Sequence, residues 1–173
     1  HNIFNPGKIV DTPKMNTGLR YTPGQQAKEI KTYFSFEDVG GVLRAAEKCN
    51  GSGDCLKSES IGGTMCPSYQ ATRDEHHATR GRANILREFL THSNKINPFD
   101  HKEIKDILDL CLSCKACKSE CPSSVDIAKL KAEFLQHYHD ANGLPLRDWL
   151  IANISKFNQL GQLFPALFNF LSN

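Results

Sequence analysis

Cys111-Leu-Ser-Cys114-Lys-Ala-Cys117-Lys-Ser-Glu-Cys121-Pro122 sets four thiols in the pattern C-x2-C-x2-C-x3-C-P, and no other stretch constrains the chain as strongly. Three cysteines at steps of three curl the backbone into a tight loop, and Pro122 turns the chain toward the next helix. A loop of this shape offers each thiolate to a different iron of a cubane cluster and turns backbone amides toward the sulfurs, which is the pattern of iron–sulfur ligation. Zinc sites instead set two C-x2-C knuckles apart by a longer loop, so the spacing favours iron–sulfur. A structural zinc-binding or interaction module is the alternative.

The chain has 173 residues, seven cysteines and a net charge of +2. An odd cysteine count in a chain of this size argues against a secreted disulfide scaffold. We find no signal peptide and no apolar run long enough to span a bilayer, so the expected location is cytoplasmic, where thiols stay reduced. Near-neutral charge without a one-signed run gives no support for nucleic acid, an anionic membrane or a nucleic-acid-binding sensor.

A second run lies upstream. Cys49-Asn-Gly-Ser52-Gly-Asp-Cys55 has the same frame with Ser52 in the place of the second cysteine, and Cys66-Pro67 supplies the C-P element after a longer gap. In two-cluster ligation the fourth cysteine of each run serves the other cluster. That rule assigns Cys66, Cys111, Cys114 and Cys117 to one complete [4Fe–4S] site. Cys49, Cys55 and Cys121 form a second set with three thiolates. It holds [3Fe–4S], or [4Fe–4S] completed by Ser52 or another oxygen or nitrogen ligand, or no cluster. A hydroxyl is a harder and less acidic ligand than a thiol.

The remaining pattern is helical, and the expected fold class is all-α. Ser35 and Asp38 have capping-box spacing before Phe36, Val39, Val42, Leu43 and Ala46, which predicts a helix that delivers Cys49. Residues 50–68 are turn-rich. Ala83, Leu86 and Leu90, flanked by Ile85 and Phe89, predict a helix from about Thr79 to Thr91. Asp100 and Glu103 cap a third helix, with Ile104, Ile107 and Leu108 as its stripe, ending at Cys111. A fourth starts near Ser124, carries Ile127, Leu130, Phe134 and Tyr138 on one side, and stops at Asn142-Gly143. The division is then 1–34, an extended tail of a neighbouring domain broken by Pro6-Gly7, Pro13 and Pro23-Gly24; 35–143, the cluster domain; and 144–173, an apolar helical extension interrupted at Gly161 and Pro165. That extension carries Trp149, Leu150, Ile154, Phe157, Leu160, Phe164, Leu167, Phe168 and Leu171. We expect it to dock on this domain or on sequence outside the chain. A membrane surface is the sharper alternative, but the basic face it needs is lacking.

The two cysteine runs with helices between them resemble the α-helical ferredoxin domain of the succinate dehydrogenase iron–sulfur subunit and of anaerobic glycerol-3-phosphate dehydrogenase, over roughly residues 36–140. Asn2-Ile3-Phe4-Asn5-Pro6-Gly7-Lys8-Ile9 is similar to the closing segment of FAD-linked oxidases of the D-lactate dehydrogenase and glycolate oxidase type. With Cys49 to Cys55, Met65-Cys66-Pro67-Ser68 and Arg80-Gly-Arg-Ala83, the chain resembles the C-terminal iron–sulfur region of fusions such as D-2-hydroxyglutarate or D-lactate dehydrogenases. The resemblance implies that FAD and a D-2-hydroxy acid belong to an upstream oxidase domain. It implies one-electron transfer from that flavin to a quinone or protein acceptor, with no turnover by this piece alone.

Other polar groups carry weaker signals. His76-His77 sit among Arg73, Asp74, Glu75 and Arg80 and read as a solvated helix start rather than a metal site. Arg80, Arg82 and Arg87 face cluster charge, an acidic partner or surface carboxylates. His137 and His139 read as exposed. No paired carboxylates and no Ser/His/Asp set mark a catalytic centre, and no residue is assigned as catalytic.

Overall fold

A computed structural model describes residues 6–19, 24, 28–163, 165 and 169–170. Asn2-Ile3-Phe4-Asn5 of the amino-terminal resemblance, Pro23, and Phe164, Leu167, Phe168 and Leu171 of the extension lie outside the described residues. Among the described residues the regular structure is helical, with no strand: α1 (Val42–Glu47), α2 (Pro67–Thr72), α3 (Thr79–His92), α4 (Lys102–Asp109), α5 (Ala116–Glu120), α6 (Ile127–Asn142), α7 (Leu146–Ala152) and α8 (Ile154–Leu163), with four short 3-10 turns. None of these helices is long and apolar enough to cross a membrane.

Helix α3 is the central element, packed against α1, α4 and α6. Ala83, Leu86 and Leu90, at spacings of three and four, bury one stripe of α3 against Ile104 and Leu108 of α4 and Ile127, Leu130 and Phe134 of α6. Phe99, in the loop before α4, is 1% exposed and meets Phe134 edge-on at 6.2 Å.

Several helix ends differ from expectation, each for a local reason. The helix expected from Ser35 begins only at Val42: a 3-10 turn at Glu37–Val39 is broken by Gly40 and Gly41, both at positive φ. Asp100 does not cap α4; His101 occupies that position, and Asp100 binds Asn142 Nδ2 at 2.7 Å and Lys95 Nζ at 3.3 Å. Helix α6 starts at Ile127 because Ser124 has φ +48°, and Asp126 caps it by accepting from the Lys129 amide at 3.0 Å. Gly161 lies inside α8 and does not interrupt it; a single helical glycine costs only about 1 kcal/mol. The break falls at Asn153, between α7 and α8. In these two helices Leu146, Trp149, Leu150, Ile151, Ile154, Phe157, Leu160 and Leu163 are exposed, with Trp149 and Phe157 in edge contact, and Asp148 lies 3.9 Å from His139 of α6.

The segment before residue 35 is tied to the cluster-bearing part. The amides of Tyr33 and Phe34 donate to the two carboxylate oxygens of Glu133 at 2.8 and 2.9 Å, and His137 Nε2 lies 2.8 Å from the same group. Glu133 is fully buried. Its position was readable, since it falls within the Leu130–Phe134 stripe of α6. His137 is half-buried, not exposed as expected, because it stacks on Phe99 at 4.6 Å; His139 is likewise half-buried, beside Asp148. Glu133→Ala leaves two amides and a ring nitrogen without their acceptor. It should lower stability by about 3 kcal/mol, read as the shift in a urea unfolding midpoint.

Candidate metal centre

The two cysteine runs meet beside the start of α3. Cys66 stands immediately before α2 with φ +57°, a left-handed conformation that a β-carbon disfavours, and Pro67 takes the first helical position. The downstream loop has the same character: Ser113 and Lys115 have φ +54° and +63°. Left-handed non-glycine residues cost about 1–3 kcal/mol each and persist where surrounding structure over-determines them, commonly at functional sites. Here they shape a loop that curls back on itself before α5 begins.

The result is one cavity whose wall includes Cys66, Cys111, Cys114 and Cys117. Cys66 and Cys117 are buried, Cys111 is half-buried and Cys114 is exposed at the rim. Cys121 lines neither this cavity nor the recess at Cys49; its amide continues from Cys117 and its carbonyl accepts from Ser124. None of the seven cysteines is in a disulfide. Among the described residues no three His, Cys, Asp or Glu side chains converge as tightly as a single ion requires. The four thiols are distributed round a space, the arrangement a polynuclear group needs.

The polar surroundings favour the thiolate at Cys66. The N-terminus of α3 faces two sulfurs: the Thr79 amide lies 3.0 Å from Cys66 Sγ, and the Arg80 amide 3.4 Å from Cys55 Sγ. The Thr79 hydroxyl adds a contact to Cys66 at 2.9 Å. Hydrogen bonding from Cys55, then from Thr79, together with the Arg82 charge, holds the Cys66 thiol below its ordinary range. Cys55, donor in that pair and buried, is pushed up. Burial also pushes Cys117 up; the Ile127 amide opposes this, and the neighbouring Cys66 and Cys111 charges add to it. Four donors that repel one another when ionised, around one cavity, fit a group carrying several positive metal centres.

Two carboxylate and ammonium contacts hold the runs in register. Glu120, at the end of α5, accepts from the amides of Thr64 at 3.0 Å and Met65 at 3.0 Å, fixing the approach to Cys66. Lys131 Nζ donates to the carbonyls of Cys111 at 2.7 Å and Asp109 at 3.3 Å, where α4 ends. Neither contact had a sequence signal, because both depend on which loops the fold brings together.

The second set is less gathered. Cys49 lines a separate open recess with Asn50, Gly51, Arg80, Asn84 and Arg87. Cys55 lies against Cys66. Ser52 is exposed and hydrogen-bonds Asp54, which that bond helps hold below the usual carboxylate range after the larger effect of Lys57. His76 and His77 form a 3-10 turn; His76 pairs with Asp74 at 2.8 Å and His77 with the Thr72 hydroxyl at 3.0 Å.

Residues 45–125, which span both runs, match the 4Fe-4S dicluster domain. That family is what this segment, a little under half of the chain, is similar to. Its cofactors are accordingly [4Fe–4S] clusters, which separates the iron–sulfur reading from the zinc alternative. The chain is also 30% identical, over its whole length, to 20% of D-2-hydroxyglutarate dehydrogenase of Escherichia coli (strain K12). It is 30% identical over 89% of its length to 18% of the Pseudomonas putida enzyme of that name. It is 29% identical over 58% of its length to 21% of the glycolate oxidase iron-sulfur subunit of Escherichia coli (strain K12). The chain thus spans about a fifth of the length of these relatives. No solved structure matches it.

Gly81 sets how closely the turn before α3 approaches the helix. A Cβ there would stand 2.2 Å from the Glu75 carbonyl oxygen and 2.9 Å from His76 Cα, both backbone. Gly81→Ala must displace that turn or the helix start that faces Cys55 and Cys66. We expect a loss of about 2 kcal/mol or more, measured by chemical unfolding.

Proposed function

We propose that this chain is an electron-transfer module, taking electrons one at a time from the reduced FAD of an upstream oxidase domain and passing them to a quinone or protein acceptor. One observation carries the ligand assignment: Cys66, from the upstream run, lines the same cavity as Cys111, Cys114 and Cys117, and Cys121 does not. This is the crossed pattern of two-cluster ligation. Cys66, Cys111, Cys114 and Cys117 then hold the first [4Fe–4S] cluster. Cys49, Cys55 and Cys121 hold the second, whose fourth position falls to Ser52 or another oxygen or nitrogen ligand, or stays open in a [3Fe–4S] form.

Bound in the cavity, a cluster supplies a one-electron couple that needs no bond breaking in the acceptor. The chain's own contribution is positional. Thr79 and the α3 N-terminus place N–H and O–H donors on Cys66, and Lys131 holds Cys111 at the end of α4. The exposed Cys114 brings one ligand to the surface, where a partner can approach. The relatives named as dehydrogenases of D-2-hydroxyglutarate and as a glycolate oxidase subunit support a D-2-hydroxy acid as the reductant of the whole protein. On this reading oxidation of the hydroxy acid takes place in the flavin domain, and this chain has no turnover of its own. Seven cysteines outside any disulfide suit a reducing compartment, the cytoplasm.

Anaerobic reconstitution should give iron and acid-labile sulfide, in equal amounts where both clusters are [4Fe–4S] and with sulfide in slight excess where the second is [3Fe–4S], and two reducible species by electron paramagnetic resonance. Cys66→Ala and Cys121→Ala should each remove about half the iron on a two-cluster count, and should remove different signals. A colourless protein that binds zinc stoichiometrically and never gives a reducible cluster would sink the electron-transfer reading. Loss of the same signal in both variants would sink the crossed assignment.

A further inference from the structure

Among the described residues the buried charged side chains are Glu133 and Arg82. Glu133 has His137 and two amides. Arg82, 3% exposed, has no carboxylate among the ion pairs of the described residues. Its Nε donates to the Ile107 carbonyl at 3.2 Å and its Nη1 to the Ser68 hydroxyl at 3.0 Å. Its Nη2 is buried with no hydrogen-bond partner. A guanidinium stays protonated in any protein environment, so Arg82 cannot relieve its burial by losing the charge. A buried charge held this way needs a counter-charge.

The place to find one is the cavity, because Arg82 lines it together with Cys66, Cys111, Cys114 and Cys117. We propose that Arg82 is the charge-compensating donor of the four-cysteine cavity, positioned to stabilise the reduced cluster and so to raise its reduction potential. The inference rests on the reading that the cavity holds an iron–sulfur cluster. Ser68 fixes the orientation of the guanidinium: its hydroxyl accepts from Nη1 and donates to the His77 carbonyl at 2.8 Å. Two of the three guanidinium nitrogens are thereby anchored, on Ile107 of α4 and on Ser68 of α2, and the third is left for the cavity. One-electron reduction adds one negative charge there without a proton. A fixed cation favours the reduced form over the oxidised one, and hydrogen bonds and local charge are among the main determinants of such potentials. Arg82 is a positioning and tuning residue in this account, outside the ligand set.

The test is a redox titration of the reconstituted full chain followed by electron paramagnetic resonance, on the signal that Cys66→Ala abolishes. Arg82→Gln should make the reduced form at least tenfold less favoured, a fall of about 59 mV for one electron. The signal that Cys121→Ala abolishes should keep its potential. Arg82→Lys, which keeps a charge, should fall less. Full iron content with an unchanged potential in Arg82→Gln overturns the proposal. Should Arg82→Gln fail to fold, wild-type chain with arginine labelled by nitrogen-15 in the guanidinium serves instead. Pulsed resonance should then show nitrogen coupling on the Cys66-dependent signal, and its absence overturns the proposal. A wild-type chain that takes up no iron at all defeats the cluster reading itself, a result distinct from either of these.

Discussion

Four thiols around one cavity are a liability in a small helical domain unless their negative charge is answered. Ionised, they repel one another; protonated, they are small apolar groups with no reason to be gathered. The architecture around them is a set of answers to that repulsion. Helix α3 presents its amino-terminal amides to Cys55 and Cys66. The Thr79 hydroxyl reaches Cys66. Arg82 contributes a cation that is almost fully buried. A cluster core would offset part of the thiolate charge, and the buried cation and helix amides answer the remainder.

This constraint also accounts for the way the chain is tied together. The thiols of the cavity come from positions 66 and 111–117, so the two runs have to be held at fixed separation by the elements between and around them. Helix α3 spans the interval through its apolar stripe, and α4 returns the chain to Cys111. Glu120 then clamps the Thr64-Met65 approach from the far side, while Lys131 of α6 holds the end of α4. Through Glu133, the same α6 also anchors the extended segment at Tyr33 and Phe34. The amino-terminal segment and the cavity wall therefore share a helix.

What the sequence made legible follows from how local each signal is. The cysteine spacing and the periodicity of Ala83, Leu86 and Leu90 are properties of a few neighbouring residues, and they placed the runs and α3 correctly. The crossing rule uses only the order of cysteines, and the four that it groups, Cys66, Cys111, Cys114 and Cys117, line one cavity. Helix starts were less legible, because glycines and left-handed residues compete with capping patterns: Gly40 and Gly41 delay α1, and Ser124 delays α6. Arg82 stands between Arg80 and Arg87 in a stretch that reads as a charged surface. Only the packing of α3 shows that it turns inward while Arg80 pairs with Glu75 at 2.9 Å. The apolar extension is a different case: its composition suggests docking on this domain or on sequence outside the chain, and the apolar side chains of α7 and α8 stand exposed.

The contact between Cys55 and Cys66 gives the two ligand sets a physical connection that neither run reveals alone. On the proposed assignment these cysteines belong to different clusters, yet they are hydrogen-bonded to each other and share the N-terminus of α3. A change of charge in one set is then felt directly by the other, through one pair of sulfurs and one helix end. The remaining asymmetry sets a direction of access. Cys114 is exposed on the rim of the first cavity, whereas Cys49 is buried beside a recess flanked by Arg80 and Arg87. An electron carrier needs a close approach for each partner and a short path between them. On the proposed assignment, an exposed thiol at the rim of one cavity, a recess lined by Arg80 and Arg87, and a thiol pair shared by the two sets are the elements of the chain that could serve those needs.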